Sequence, residues 1–264
     1  MGSLKFKNFV YKLIRFTYTY FTLVKQLALL QLKTKSLPKK TAMILISKNK
    51  SYFYMALICL SSFLYYNSDY KIKIFCDQKL SKYTKYFKHF FRKFQIVIDD
   101  SIPNNSDPYI EQLKLFFKLR EENSILLDAD IRWLSKLHYE FNSPLVYNYE
   151  FDYKATDFWD LLSKHLNLKH VPNFQVLTCC LTSWGGENPD LNEIETDLMI
   201  RNLGTFDWKR YNDTDYYRLR GQFIMSYIFC MMNKKPISIT EIEKSKGPIM
   251  ETSFFGATGY RFGF

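Results

Sequence analysis

The sequence predicts an α/β fold, a mostly parallel, doubly wound sheet with flanking helices, preceded by a basic amphipathic N-terminal helix. Three observations predict it. Short apolar runs of strand length alternate four times with longer runs of helical length between residues 42 and 127, the order that a parallel sheet with crossover helices produces. Each of those short runs stops on polar or acidic residues: Ser47-Lys48-Asn49, Asp77, Asp99-Asp100 and Asp128-Ala129-Asp130. Finally, residues 1–40 carry nine lysines and arginines and no acid, and Leu4 to Leu32 contains neither Pro nor Gly, as a continuous helix requires.

In that first segment Phe6, Val10 and Leu13, then Tyr20, Val24 and Leu27, recur at helical spacing. Such a helix either lies in an anionic membrane interface or packs on its own domain, and amphipathicity alone does not choose. Ser36-Leu37-Pro38-Lys39-Lys40 breaks it, which divides the chain into an arm, residues 1–38, and a body, residues 39–264. The body opens with a strand over Ala42 to Ile46, a helix over Tyr52 to Tyr66, and an alternating strand from Lys71 to Cys76. An aromatic, basic helix follows from Leu80 to Phe91, then a strand from Gln95 to Ile98, a helix from Pro108 to Arg120 and the strand Ile125 to Leu127. Beyond Trp133 the regular alternation stops. Pro144 to Tyr149 and Phe174 to Leu181 read as strands, Asp157 to Leu168, Leu191 to Leu203 and Tyr216 to Met232 as helices, and Lys234 to Phe264 as irregular.

Charge and composition exclude several classes. The formal charge is +11, of which the arm supplies +9, so the body is close to neutral. Nucleic acid is therefore not an expected partner: the arm has no base-reading module and the body no basic groove. No GxGxxG or Walker lysine loop occurs, so phosphates are not expected on a glycine loop. Five cysteines in apolar runs, without CxxC spacing, suggest buried thiols in a reducing compartment rather than zinc. The longest uncharged stretch of the arm, Phe16 to Val24, is too short to span a bilayer and does not have the order of a secretory leader. The expected location is cytoplasmic, either free or peripheral on the inner face of a membrane.

Ser124-Ile125-Leu126-Leu127-Asp128-Ala129-Asp130 is the stretch with chemistry in it. Another Asp-x-Asp, Asp213-Thr214-Asp215, lies among polar residues; the first ends a buried strand. In extended geometry residues two apart project to the same side, so Asp128 and Asp130 aim together. Two convergent carboxylates are hard oxygen ligands suited to Mg²⁺ or Mn²⁺ with positions left for phosphate oxygens. Asp77 and Asp99-Asp100, each taken singly, read as turn chemistry.

The order of elements with Leu127-Asp128-Ala129-Asp130 resembles the nucleotide-sugar glycosyltransferases of the GT-A fold, over roughly residues 41–233 in pattern. The resemblance implies that Asp130 is the main metal ligand, that Asp128 reaches the metal or the ribose, and that the cation holds the diphosphate of a sugar nucleotide, commonly UDP-linked. It implies further that Ser47, Lys48, Asn49 and Asp77 face base and ribose, and that Lys118 and Arg120 are the basic pair upstream of the motif. Trp184-Gly185-Gly186-Glu187 looks like the acceptor turn of the galactosyl- and N-acetylgalactosaminyltransferase branches, with Asn188 where inverting members place Asp. Glu187 and, after it, Asp190 are the general-base candidates, and Trp184 the stacking surface for an acceptor sugar. The His-x-x-Gly-x-x-Lys-Pro-Trp element of the glycogenin-like branch is absent from the sequence.

The activity so implied is a metal-dependent hexosyl transfer from a UDP-sugar to a glycan or lipid-linked acceptor, with residues 1–35 resting on an anionic membrane. Its rivals are a nucleotidyltransferase on a related sheet, which Ser47-Lys48-Asn49-Lys50 fits poorly, and a non-catalytic, membrane-apposed binding module.

Overall fold

The computed structural model describes residues 17, 20–33, 37–47, 50–104, 106, 110–112, 114–115, 124–150, 156–167, 175–176, 181–183, 201–202, 205, 222–223, 225–230 and 236–251. Its strands are β1 (Lys40–Ile46), β2 (Tyr70–Asp77), β3 (Ile96–Ile102), β4 (Ser124–Leu127), β5 (Arg132–Trp133), β6 (Leu145–Val146), β7 (Tyr149–Glu150), β8 (Gln175–Val176), β9 (Leu181–Ser183), β10 (Ile237–Ser238) and β11 (Met250–Glu251). The helices used below are α1 (residues 20–31), α2 (Lys50–Tyr66), α3 (Thr84–Phe90), α4 (Thr156–His165) and α5 (Ile239–Lys246).

The fold is α/β, and its centre is the parallel set β4-β1-β2-β3, with β1 paired to β2 over its whole length and to β4 from Thr41↔Ser124 to Ile44↔Leu127. β4 is buried throughout, β2 is buried apart from Lys71 and Lys73, and β1 is buried apart from Lys40, Thr41 and Leu45, as strands covered on both faces tend to be. Chain order places β2 and then β3 on one side of β1, after which the chain crosses back to put β4 on the other. That reversal between β1 and β4 is a topological switch point, where the loops from adjacent strands part and leave a crevice.

The second half departs from the parallel pattern. β9 pairs antiparallel with β4 and with β6, and β10 pairs parallel with β6. The single strand expected over Pro144 to Tyr149 is two short ones in different sheets, β6 and β7. Of the strand expected over Phe174 to Leu181, the ends belong to β8 and β9, and residues 177–180 lie outside the described set. The C-terminal segment expected to be irregular contains β10, α5 and β11. Its signals were local: Gly247 closes α5 at φ +81 with its N–H on the Glu243 carbonyl, a conformation that glycine adopts freely. Glu243 Oε1 then accepts the N–H groups of Ile249 (2.8 Å) and Met250 (3.0 Å), which aims β11 at β5.

The core centres on α2. Phe63 is fully buried between Tyr70 and Trp133, each 4.9 Å away ring to ring and edge-on, the arrangement aromatic quadrupoles favour. The helix expected from Leu80 begins as a 3₁₀ turn over Ser81–Tyr83, because the Asp77 carbonyl and Oδ1 both take the Leu80 N–H (3.0 and 3.1 Å). Cys59 and Cys76 are buried free thiols and Cys230 is half-buried; Cys179 and Cys180 fall outside the described residues. No helix among the described residues is long and apolar enough to cross a membrane.

Candidate active site

Asp128 and Asp130 follow β4 directly, at its carboxyl end and beside the end of β1, so the pair stands at the switch point. Both are half-buried, while Ala129 between them is buried. The reason is local: the apolar run Ile125-Leu126-Leu127 is fixed in the sheet, and the chain turns over Ala129-Asp130 instead of continuing extended. The strand alternation expected to aim Asp128 and Asp130 together therefore does not run through the motif. Asp128 Oδ1 accepts the Ala129 N–H at 2.7 Å. Burial, then the negative charge of Asp130, push the Asp128 carboxyl up to about 8, against a smaller lowering from that N–H. Asp130 is also raised, by burial. Carboxyls that repel one another in a partly dry site are stabilised by a divalent cation, and their oxygen donors match Mg²⁺ or Mn²⁺. The donor set therefore fits the metal that the motif implies. Among the described residues, no group of three or more His, Cys, Asp or Glu side chains forms a metal site.

The turn is held from beneath by polar residues on one side of α2. Cys59 donates its S–H to the Asp128 carbonyl at 3.3 Å, Ser62 Oγ accepts the Trp133 N–H at 3.0 Å, and Asn67, just past the helix, accepts the Leu137 N–H at 2.9 Å. Cys59 is close enough that both carboxylates, after burial itself, raise its thiol far above the ordinary range, leaving it inert as a nucleophile. From the other side β11 pairs with β5 (Trp133↔Met250, Arg132↔Glu251), with Arg132 and Glu251 3.4 Å apart. Sequence reading missed all of these supports. The available signal was four polar residues, Cys59, Ser61, Ser62 and Asn67, spaced along an otherwise apolar stretch.

The remaining expected residues divide by position. Ser47 is half-buried immediately after β1, across the switch point from β4. Asp77 is buried at the end of β2, where its Oδ1 accepts the Leu80 N–H just ahead of the 3₁₀ turn. Asp99 and Asp100 do not follow a strand that stops at Ile98: they lie within β3, which runs to Ile102. There Asp99 Oδ1 accepts from Ser101 N (3.0 Å) and Oγ (2.5 Å), and Asp100 Oδ2 from Ser81 Oγ (2.5 Å), which is edge and turn chemistry. His165 is exposed at the end of α4, 3.0 Å from the Asn202 carbonyl. Asn49, Lys118, Arg120, Trp184, Glu187 and Asp190 lie outside the described residues.

The raised carboxyls predict a pH dependence with a definite sign. Between its ordinary value of 3.8 and about 8, folded Asp128 holds a proton that the unfolded chain has released, so stability falls as pH rises through that window and levels off above it. Thermal melts in a chelator are expected to show the midpoint declining from about pH 5 to pH 8, and Asp128→Asn to flatten the decline and raise the midpoint at the alkaline end. A midpoint that rises over that interval would contradict the raised carboxyl of Asp128.

No family model matches this chain, and no curated protein does. Among solved structures it is similar to the glycosyltransferase GlyE of Streptococcus pneumoniae, with a TM-score of 0.45 and 10% identity over 79% of this chain and 46% of that one. It is similar also to the mannosyltransferase PcManGT from Pyrobaculum calidifontis, solved with GDP-Man and Mn²⁺, at a TM-score of 0.32 and 10% identity over 56% and 47% of the two chains. A third is the PaToxG glycosyltransferase, at 0.33 and 12% over 92% and 95%. The chain spans just under half the length of the first two.

Proposed function

We propose that this chain is a metal-dependent glycosyltransferase of GT-A type. It takes a hexose from a nucleoside-diphosphate sugar, UDP-linked by expectation, and delivers it to a glycan or lipid-linked acceptor, with residues 1–35 resting on an anionic membrane. The observation that carries the reading is the pair of half-buried carboxyls, Asp128 and Asp130, at the carboxyl end of the strand bordering the switch point.

Asp130 holds a Mn²⁺ or Mg²⁺ ion as main ligand, and Asp128 shares the ion or takes a ribose hydroxyl. When bound, the cation neutralises charge on the departing diphosphate, where the difficulty of sugar transfer lies. Ser47, Asn49 and Asp77 border the base and ribose from the neighbouring strand ends, and Lys118 with Arg120 adds positive charge toward the phosphates. Trp184 stacks on the acceptor sugar. The base that takes the acceptor proton is Glu187 as first candidate and Asp190 as second. Glu187→Gln is expected to lower turnover about 10²-fold or more with donor affinity unchanged; full turnover in that variant and loss in Asp190→Asn would move the role to Asp190.

The reading as a whole is tested by thermal shift with a panel of nucleotide sugars. A donor at about 100 times its Kd contributes ~2.7 kcal/mol to the folded state, so the midpoint is expected to rise by several degrees with Mn²⁺ present and to stay put in chelator. An unmoved midpoint with every donor would favour the non-catalytic binding module.

A further inference from the structure

The near-neutral total of the body conceals a strongly cationic stretch. From Gln78 to Ile98 there are six lysines and arginines and no acid. The stretch folds as the 3₁₀ turn and α3, which bury Phe87 and Phe91 inward and leave Lys82, Lys85, Lys88 and Arg92 exposed, with Tyr86 among them.

α1 abuts this element and shows apolar side chains on its outer side. It lies along α2 in the same direction, since Leu23 packs with Met55 on Ile58 and Lys33 Nζ sits 4.3 Å above the Tyr65 ring. Its inward side buries Thr22 and Gln26 ahead of Leu30, while its outward side shows Tyr20 (57% exposed), Phe21 (67%) and Val24 (46%), with Leu32 (80%) just past its end. The stripe read from sequence is thus split: Tyr20 and Val24 face out, and Leu27 packs against the core. At its end Gln31 Nε2 donates to the Phe90 carbonyl at 3.0 Å, and Lys93 Nζ donates to the Gln31 carbonyl. α1 and α3 are therefore joined, one showing Tyr20, Phe21 and Val24 with Lys25 outside, the other cationic.

We infer that the outer sides of α1 and α3 together form a docking surface for an anionic lipid bilayer, extending the membrane contact beyond the N-terminal arm onto the folded body. Exposed apolar side chains beside lysines are what an interfacial helix presents to acyl chains and headgroups. Each lysine near an anionic surface adds to the attraction, and the effect vanishes over a Debye length. A polyanion without an apolar phase would satisfy the lysines and leave Phe21, Val24 and Leu32 in water; Val24 and Leu32 offer no ring for a base to stack on. The inference does not depend on sugar transfer.

Vesicle flotation of the full chain tests it, using phosphatidylcholine with and without about one-third phosphatidylglycerol. Wild type is expected to float only with the anionic vesicles, and to be released by high salt. Lys82→Glu/Lys85→Glu/Lys88→Glu should lower partitioning at least about tenfold, and Phe21→Ser/Val24→Ser should lower it several-fold at equal charge. All these positions are exposed, so circular dichroism and melting midpoint should match wild type; single Lys85→Ser and Phe21→Ser variants repeat the comparison wherever they do not. Flotation unchanged by the α3 substitutions, or equal on neutral vesicles, overturns the inference. So does tight binding of a duplex oligonucleotide that Phe21→Ser/Val24→Ser leaves intact and that displaces the vesicles.

Discussion

Asp130→Ala is expected to abolish Mn²⁺-dependent donor binding and to lower transfer or donor hydrolysis by about 10³-fold, the scale of a lost cation's contribution of several kcal/mol. The same variant should fold at least as well as wild type in chelator. Burial raises both carboxyls and the charge of Asp130 raises Asp128 further, so deleting Asp130 removes an unfavourable charge from a half-buried turn while the supports from Cys59 and Ser62 persist. Lost activity with retained or improved stability separates a binding role from a structural one. Equal donor binding in Asp130→Ala, measured by calorimetry with and without Mn²⁺, would remove the metal role from this pair.

Phe63→Ala carries the largest expected effect on stability. The ring is fully buried on α2, edge-on to both Tyr70 at the start of β2 and Trp133 in β5. Truncation forfeits the transfer energy and opens a cavity between elements that cannot close on it, costing about 3–5 kcal/mol. The midpoint should fall by about 10 °C. Trp133 also receives backbone support from Ser62 on the same helix, so donor affinity should weaken alongside stability. A midpoint within about 2 °C of wild type would show that α2 does not organise this half of the molecule.

How far the sequence could be read follows from where its signals are local. β1, α2, β2, β3 and β4 lie close to the expected runs, because parallel strands buried on both faces and their crossover helix announce themselves as apolar runs of differing length. Asp128-Ala129-Asp130 was legible for the same reason, being the polar stop of such a run. The strand–strand pairings after Trp133 were not: β5, β6, β9, β10 and β11 are two or three residues long, too short for any period to register, and their partners are far away in sequence. Cys59, Ser62 and Asn67 escaped because a polar residue in an apolar helix shows that it has a partner but not which one. For α1 the spacing gave the helix and left both partners open. The structure seats one side on the core through Leu30, and buries Thr22 and Gln26 where apolar side chains would be expected.

Mn²⁺ binding followed by electron paramagnetic resonance addresses the carboxylate pair without reference to donor or acceptor. The free-ion signal should fall on addition of wild-type chain, to a stoichiometry of about one ion per chain in the presence of UDP, and should be restored in Asp128→Asn/Asp130→Asn. Equal loss of signal with wild type and the double variant, or none with either, would contradict a cation site at the end of β4.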